Sequence, residues 1–197
     1  MYTNKIKKQL DTLYRYQTEG RIWPEQEEKG EIESKEKGVV ATYGEITRQG
    51  VDSIIDGLGD FIDENTVFYD LGSGYGSLAL HLCIRKNIKK AVGIEYFAKR
   101  RDYANNQVEK WEYRAQSNPK FVPGNYFNFD FSDATFVYWD NIMYYKDVES
   151  KRKVLKLLPK KCIAVFRSCT GLDEHKWRKI EATTTYQQKS PVWWAII

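Results

Sequence analysis

The chain has 197 residues and a formal net charge of +4, with 42% hydrophobic, 15% aromatic and 29% charged residues. That is enough apolar side chain for one folded domain with a full core, which excludes a disordered or fibrous chain, and the mild basicity permits an acidic partner without requiring one. Three cysteines without CxxC spacing and only two histidines argue against a metal site and for reduced thiols in an intracellular protein, nuclear or cytoplasmic, and neither a signal peptide nor a membrane-length apolar run is expected.

In chain order, residues 3–18 are Lys-rich, with Ile6, Leu10, Leu13 and Tyr14 at helical spacing. Residues 19–38 turn polar around Gly20, Pro24, Gly30 and Gly38 and read as a loop able to cover a site. From Glu45 on, Ile46, Val51, Ile54, Ile55 and Leu58 predict a second helix. The chain then alternates. Strands are expected near 66–70, 90–95, 120–123, 134–139 and 161–167, and helices near 75–86, 97–117 and 146–158. Such alternation predicts a mostly parallel α/β sheet with helices on both faces. Residues 176–186 and 192–197 read as two closing strands, joined by the short polar loop Gln187 to Pro191, which gives seven strands ending in an antiparallel pair. The division predicted is a helical extension with a covering loop over 1–62 and a core over 63–197.

The stretch Val67-Phe68-Tyr69-Asp70-Leu71-Gly72-Ser73-Gly74-Tyr75-Gly76 carries the chemistry. It reads as a buried strand, an acid at its carboxyl end, and a glycine turn opening a helix at Ser77. Glu95 follows a second apolar run, Ala91 to Ile94. Strand, glycine turn, helix, strand, acid is how an α/β sheet holds a nucleoside, with the second carboxylate on the ribose hydroxyls. The dinucleotide spacing Gly-x-Gly-x-x-Gly is absent: Gly72, Gly74 and Gly76 alternate strictly, and Ser77 stands at the third-glycine position. An acid ahead of the turn is also foreign to a pyrophosphate site. Asn125 and Tyr126, after the third strand, stand where an adenine is held, by a hydrogen bond to its amine and by packing on its ring.

The glycine motif and the closing strand pair together resemble class I methyltransferases, Rossmann-like enzymes that use S-adenosylmethionine. Neither the Asp/Asn-Pro-Pro-aromatic motif of enzymes methylating adenine or glutamine nor the Lys-Asp-Lys-Glu set of ribose-methylating enzymes is evident. Within the class, the chain resembles the disruptor-of-telomeric-silencing family of non-SET histone-lysine methyltransferases. The residues that carry this are Tyr43-Gly44-Glu45, Asp70 to Gly76, Gly93-Ile94-Glu95, Gly124-Asn125-Tyr126, Asp140-Asn141-Ile142 and Pro191-Val192-Trp193-Trp194. The resemblance implies that Tyr43 and Glu45 lie over the methionine part of the cofactor and that Val51 touches it. It implies that Asn141 and the aromatic Trp194 line a channel for the acceptor lysine, and that Tyr43, Tyr126, Asn141 and Trp194 surround the reacting atoms. Asp70, Gly72, Gly74, Gly76, Ser77, Glu95, Asn125, Tyr126 and Asn141 would complete the cofactor site. The acceptor implied is a protein lysine on a core histone or nucleosome. The chain departs from the family in its short N-terminal part, in its apolar Ile196-Ile197 ending, and in Asp140 and Ile142 where the family has Asn and Phe. Two other readings stay open. One is a nucleic-acid methyltransferase that uses the basic clusters Lys7-Lys8, Lys99-Arg100-Arg101, Lys151-Arg152-Lys153 and Lys160-Lys161; the other is a catalytically silent binding module.

Overall fold

A computed structural model describes residues 3–15, 44–110, 117–185 and 187–197. The loop expected over 19–38, Tyr43 and the end of the helix expected over 97–117 lie outside the described residues. Seven strands form one sheet in the order β3-β2-β1-β4-β5-β7-β6. They are β1 (Val67–Leu71), β2 (Lys90–Glu95), β3 (Lys120–Pro123), β4 (Phe136–Trp139), β5 (Ile163–Phe166), β6 (Arg178–Ile180) and β7 (Val192–Ile196). β1 to β5 are parallel, while β7 runs antiparallel to both β5 and β6. The expected seven-stranded α/β architecture with its closing antiparallel pair is therefore the observed one.

The strands read as unbroken apolar runs because both faces of the sheet are covered. Phe68, Phe136, Tyr138, Ile163 and Val165 face one cluster; Tyr69, Leu71, Val137, Trp139, Ala164 and Phe166 face the other. This is the period-2 alternation of a strand. Three helices, α1 (Asn4–Tyr14), α2 (Arg48–Leu58) and α3 (Ser77–Arg85), cover the first face, together with Ala104 of α4 (Ala98–Glu109). α5 (Val148–Leu157) covers the second through Val154 and Leu155. Leu10 and Leu13 of α1 share a cluster with Phe68 and Leu80, so the described N-terminal helix joins the same core, packed against α3.

Two boundaries differ from the sequence expectation for one physical reason. The helix expected from Glu45 begins at Arg48, because Thr47 caps it: the Gly50 N–H donates to Thr47 Oγ1 at 3.2 Å. The residues before the cap pair elsewhere. Ile46 forms an antiparallel bridge with Thr184, the Thr47 N–H donates to the Thr183 carbonyl at 3.0 Å, and the Thr185 N–H donates to the Glu45 carbonyl at 2.8 Å. Residues 183–185 are thereby taken from the strand expected over 176–186, and β6 is reduced to Arg178–Ile180. Gly50 makes this approach possible, since a side chain there would collide with the Thr183 carbonyl.

A buried histidine ties the first three helices together. His81 is fully buried on α3. Its Nε2 faces Asp52 Oδ1 of α2 at 3.2 Å, and its Nδ1 lies 2.8 Å from the Tyr14 hydroxyl of α1. A carboxylate only accepts, so the neutral ring carries its proton on Nε2 and accepts from Tyr14. Arg85 joins Asp52 to Asp56 at 2.6 and 2.7 Å. Burial pushes the His81 pKa below its ordinary 6.5, against the pull of Asp52. The folded chain thus resists a proton that the unfolded chain accepts. The stability this contributes is complete above about 6.5 and is lost as pH falls toward the lowered folded value. The unfolding midpoint should drop between about pH 7 and pH 5, and the drop should shrink in His81→Gln. Thermal melts across that range check it; an unchanged slope in the variant would refute the assignment.

Candidate functional site

The strand order reverses between β1 and β4, so the loops leaving their carboxyl ends part and open a crevice. Four of the five parallel strands carry a polar residue at or just past this edge: Asp70, next to last on β1, Glu95 ending β2, Asp140 just after β4 and Arg167 just after β5. In register, Asp70 sits between Gly93 and Tyr138. It points to the same sheet face as Phe68, toward the helices.

The glycine turn is built as the sequence suggests. Gly72 is left-handed at φ 77°, and a side chain added there would point into open space. Gly76, at φ 81°, meets Phe121 and Ala104, so it serves close helix–sheet packing. Ser77 begins α3 and is buried. Glu95 closes the turn from below: Oε2 accepts from the Gly74 N–H at 2.7 Å and Oε1 from the Phe97 N–H at 2.9 Å. Each carboxylate oxygen keeps further lone pairs for a ligand.

Four carboxylates converge here. Asp70 is nearly fully buried and receives no hydrogen bond from the described residues. Burial drives its pKa well above the ordinary value, and the negative charges of Glu95, Glu45 and Asp140 push it further. Burial also raises Glu95, opposed by the Arg100 charge and by its backbone donors. Arg100 is buried on α4, with its guanidinium 4.5 Å from the Phe97 ring centre. Glu45 is buried as well, and its charge reaches Tyr75 and Tyr103, whose rings meet edge to face at 5.2 Å. The Tyr75 phenol is pushed up to about 12, chiefly by burial.

On the second face, Tyr126 packs on Phe127 at 4.8 Å and edge-on to Trp139 at 5.6 Å, and Tyr144 lies 5.3 Å from Trp139. Burial raises the Tyr126 and Tyr144 phenols, so both stay protonated and act as donors rather than bases. Asn125 caps this turn, its Oδ1 accepting from the Phe127 N–H at 3.0 Å. One lone pair of that oxygen remains for an amine donor.

The expected residues are thus only partly gathered. Glu45, Asp70, Gly72, Gly74, Gly76, Ser77, Glu95, Asn125 and Tyr126 lie along the edge of β1 to β3 or over it. Val51 is fully buried in α2, as a core residue. Asn141 is fully buried and clamps the end of β5: Nδ2 donates to the Ser168 carbonyl and Oδ1 accepts from the Ser168 N–H, both at 2.8 Å. One N–H of its amide is left over. Trp194 belongs to the helix-covered core, with Phe61 at 5.3 Å and the Arg178 guanidinium 5.0 Å from its ring, on β7, third in the sheet from β1. Its contacts are those of a packed core ring. Two of the basic clusters are broken up by folding. Arg100 and Lys151 are buried, and the Lys151 amine donates to the carbonyls of Tyr145 at 2.8 Å and Thr170 at 2.5 Å.

Sequence reasoning missed Arg167 and Arg100. The signal for Arg167 was present: a polar residue directly after the apolar run Ile163–Phe166, at the same topological position as Asp70 and Glu95. Among the described residues no metal-binding cluster occurs and no helix is long and apolar enough to cross a membrane. Cys83 and Cys162 are buried thiols pushed up to about 12 by burial, and Cys169 is half-buried.

The groups facing the crevice decide what fits it. Asp70, the remaining lone pairs of Glu95 and that of Asn125 are acceptors, and buried carboxylates favour a ligand that brings donors and positive charge. A pyrophosphate would be repelled. S-adenosylmethionine fits in kind, through its sulfonium, its ammonium, its ribose hydroxyls and its adenine amine. Fold and site are those of the class I S-adenosylmethionine-dependent methyltransferase architecture.

A family model described as "Histone methylation protein DOT1" matches residues 26–144, more than half of the chain, and the chain belongs to that family. A protein-lysine N-methyltransferase of Saccharolobus islandicus is 34% identical over 76 residues, which are 39% of this chain. The match spans 46% of that relative's length. The fold is similar to that of the magnesium protoporphyrin IX methyltransferase of Synechocystis PCC 6803 with bound S-adenosylmethionine, with a TM-score of 0.61 and 13% identity over 98% of this chain and 92% of that one. It is also similar to an RNA methyltransferase of Salinibacter ruber in complex with S-adenosylhomocysteine, with a TM-score of 0.57 and 24% identity over 74% of this chain and 89% of that one.

The charge argument has a testable cost. A carboxyl whose folded pKa is raised contributes fully below its ordinary pKa and loses that contribution as pH rises, so Asp70 costs the unliganded fold stability near neutrality. Asp70→Asn should raise the unfolding midpoint at neutral pH by a few degrees, about 1 kcal/mol. It should weaken S-adenosylmethionine binding by about tenfold or more. Thermal melts paired with titration calorimetry read both; a variant that is less stable and binds normally would overturn the charge reading.

Proposed function

We propose that the protein is an S-adenosylmethionine-dependent protein-lysine N-methyltransferase, with a histone or nucleosomal lysine as acceptor. The observation that carries this is the group of four carboxylates at the carboxyl edge of β1, β2 and β4. The family description and the name of the Saccharolobus islandicus relative support the choice of a protein lysine.

Asp70 would hold the donor's ammonium, Glu95 its ribose hydroxyls and Asn125 its adenine amine, with Tyr126 packed on the ring. Tyr43, which lies outside the described residues, and Glu45 would cover the methionine end. When bound, S-adenosylmethionine supplies an electrophilic methyl group that an amine lone pair can take while the carbon–sulfur electrons stay on sulfur. The carboxylates would draw a lysine ammonium toward the crevice, as like-signed phosphates would not be drawn. Once their charge is matched by the donor, the amine would lie against the part-exposed rings of Tyr126 and Tyr144, which are backed by the buried Trp139. That dry aromatic wall favours the uncharged amine by desolvation and excludes water as a competing nucleophile. The left-over N–H of Asn141 is the polar group assigned to the acceptor side. Alignment and exclusion of water carry such a reaction without a histidine base.

A nucleic-acid acceptor is the competing outcome. Incubation with methyl-labelled cofactor and nucleosomes, free histones, RNA and DNA separates the two. Label is expected in protein, resistant to nuclease, and lost in Asp70→Asn. Label confined to RNA or DNA would sink the proposal.

A further inference from the structure

Arg167 stands one residue past β5, nearly fully buried, and its guanidinium joins parts of the chain far apart in sequence. Nη2 donates to Ser190 Oγ at 2.7 Å, Nη1 donates to the Pro191 carbonyl, and Nε lies 3.6 Å from Asp140 Oδ1. Ser190 is fully buried, and its hydroxyl also meets Thr184 Oγ1 at 3.1 Å and Gln187 Oε1 at 3.0 Å. Thr184 is the residue bridged to Ile46, and Thr185 exchanges hydrogen bonds with Glu45: the Thr185 N–H reaches the Glu45 carbonyl at 2.8 Å, and the Glu45 N–H reaches Thr185 Oγ1 at 3.2 Å. The next residue after Arg167, Ser168, is the one held by Asn141. A polar strut therefore runs from the Asp140–Asn141 turn, through Arg167 and the segments 182–185 and 187–191, to the segment that carries Glu45 toward the glycine turn.

We infer that Arg167 is a positioning residue, whose forked contacts to Ser190, Pro191 and Asp140 lock the Glu45 segment over the cofactor cradle and hold the Asp140–Asn141 turn in place. Its planar fork suits this, because Nη1 and Nη2 donate to a carbonyl and a hydroxyl in fixed directions while Nε faces the Asp140 carboxylate as an ion pair, an arrangement that the flexible point charge of a lysine would not pre-organise. The inference rests on the cofactor assignment made above, but not on the acceptor.

Titration of the full chain with S-adenosylhomocysteine and S-adenosylmethionine reads the strut without turnover. Arg167→Gln should weaken both by about tenfold. Glu45→Gln should weaken binding too, and the double variant should bind about as well as the weaker single one, since the two residues act on one contact set. Asn125→Ala, on the adenine side, should instead multiply with Arg167→Gln. Hydrogen exchange gives a readout that general destabilisation would not: the amides of Thr47 and Thr185 should exchange faster in Arg167→Gln while those of β1 and β2 keep their rates. Affinity within about twofold of the parent, penalties of Arg167→Gln and Glu45→Gln that multiply, or exchange that rises evenly across the sheet would each overturn the inference. If Arg167→Gln does not fold, Ser190→Ala removes one arm of the fork and should show the same pattern at about threefold; an unchanged affinity and exchange would overturn it equally. A parent protein that binds neither ligand would refute the cofactor assignment instead, and the exchange measurement would still test the strut.

Discussion

The rest of this structure is arranged around buried negative charge at the crevice between β1 and β4. Asp70, Glu95, Glu45 and Asp140 come from four separate parts of the chain, and each of the other three raises the cost of ionising Asp70. A folded protein does not gather carboxylates in a low-dielectric edge for stability. The sheet, packed on both faces, provides the rigidity that holds them there. Helix α3, the Gly72–Gly76 turn and the β2 carboxylate form one connected unit, because the Gly74 N–H is satisfied by Glu95 itself.

This arrangement assigns different work to residues that look alike in the sequence. Asp70 receives nothing from the described residues, and so its charge is open to a ligand. Glu95 is braced by two backbone donors and by Arg100 nearby, and it shapes the turn as well as facing it. Asp140 faces Arg167, which is in turn held by Ser190 and Pro191. The helical layer over the first face is held by a different device, a neutral histidine between Tyr14 and Asp52, one turn along the helix that the glycine turn opens.

Much of the fold was legible because strands buried on both faces are continuous apolar runs, and because a polar residue at the end of such a run marks the carboxyl edge. The glycine turn was equally legible, since alternating glycines after an acid have few structural uses. Less legible were contacts made through backbone. The pairing of Ile46 with Thr184 leaves no pattern in side-chain hydropathy, so residues 183–185 read as a strand continuing β6 and Glu45 read as a helix start. Trp193 and Trp194 show the same limit: the sequence marks an aromatic strand, but only the register against Val165 and Arg178 turns Trp194 toward the core and Phe61.

By itself the sequence determined the order of the elements, the parallel core with its antiparallel end, and a carboxylate-flanked glycine turn suited to a cationic nucleoside. These follow from local rules of hydropathy period, glycine conformation and strand-end position. Tertiary structure alone decided which carboxylates meet, that Asn141 grips Ser168, that Arg100 and Lys151 leave the surface, and that Arg167 links the turn after β4 to the segment before β7. The reason is physical: burial and electrostatic coupling depend on distance in space, and residues as far apart as Glu45 and Thr185 become neighbours only once the sheet has closed.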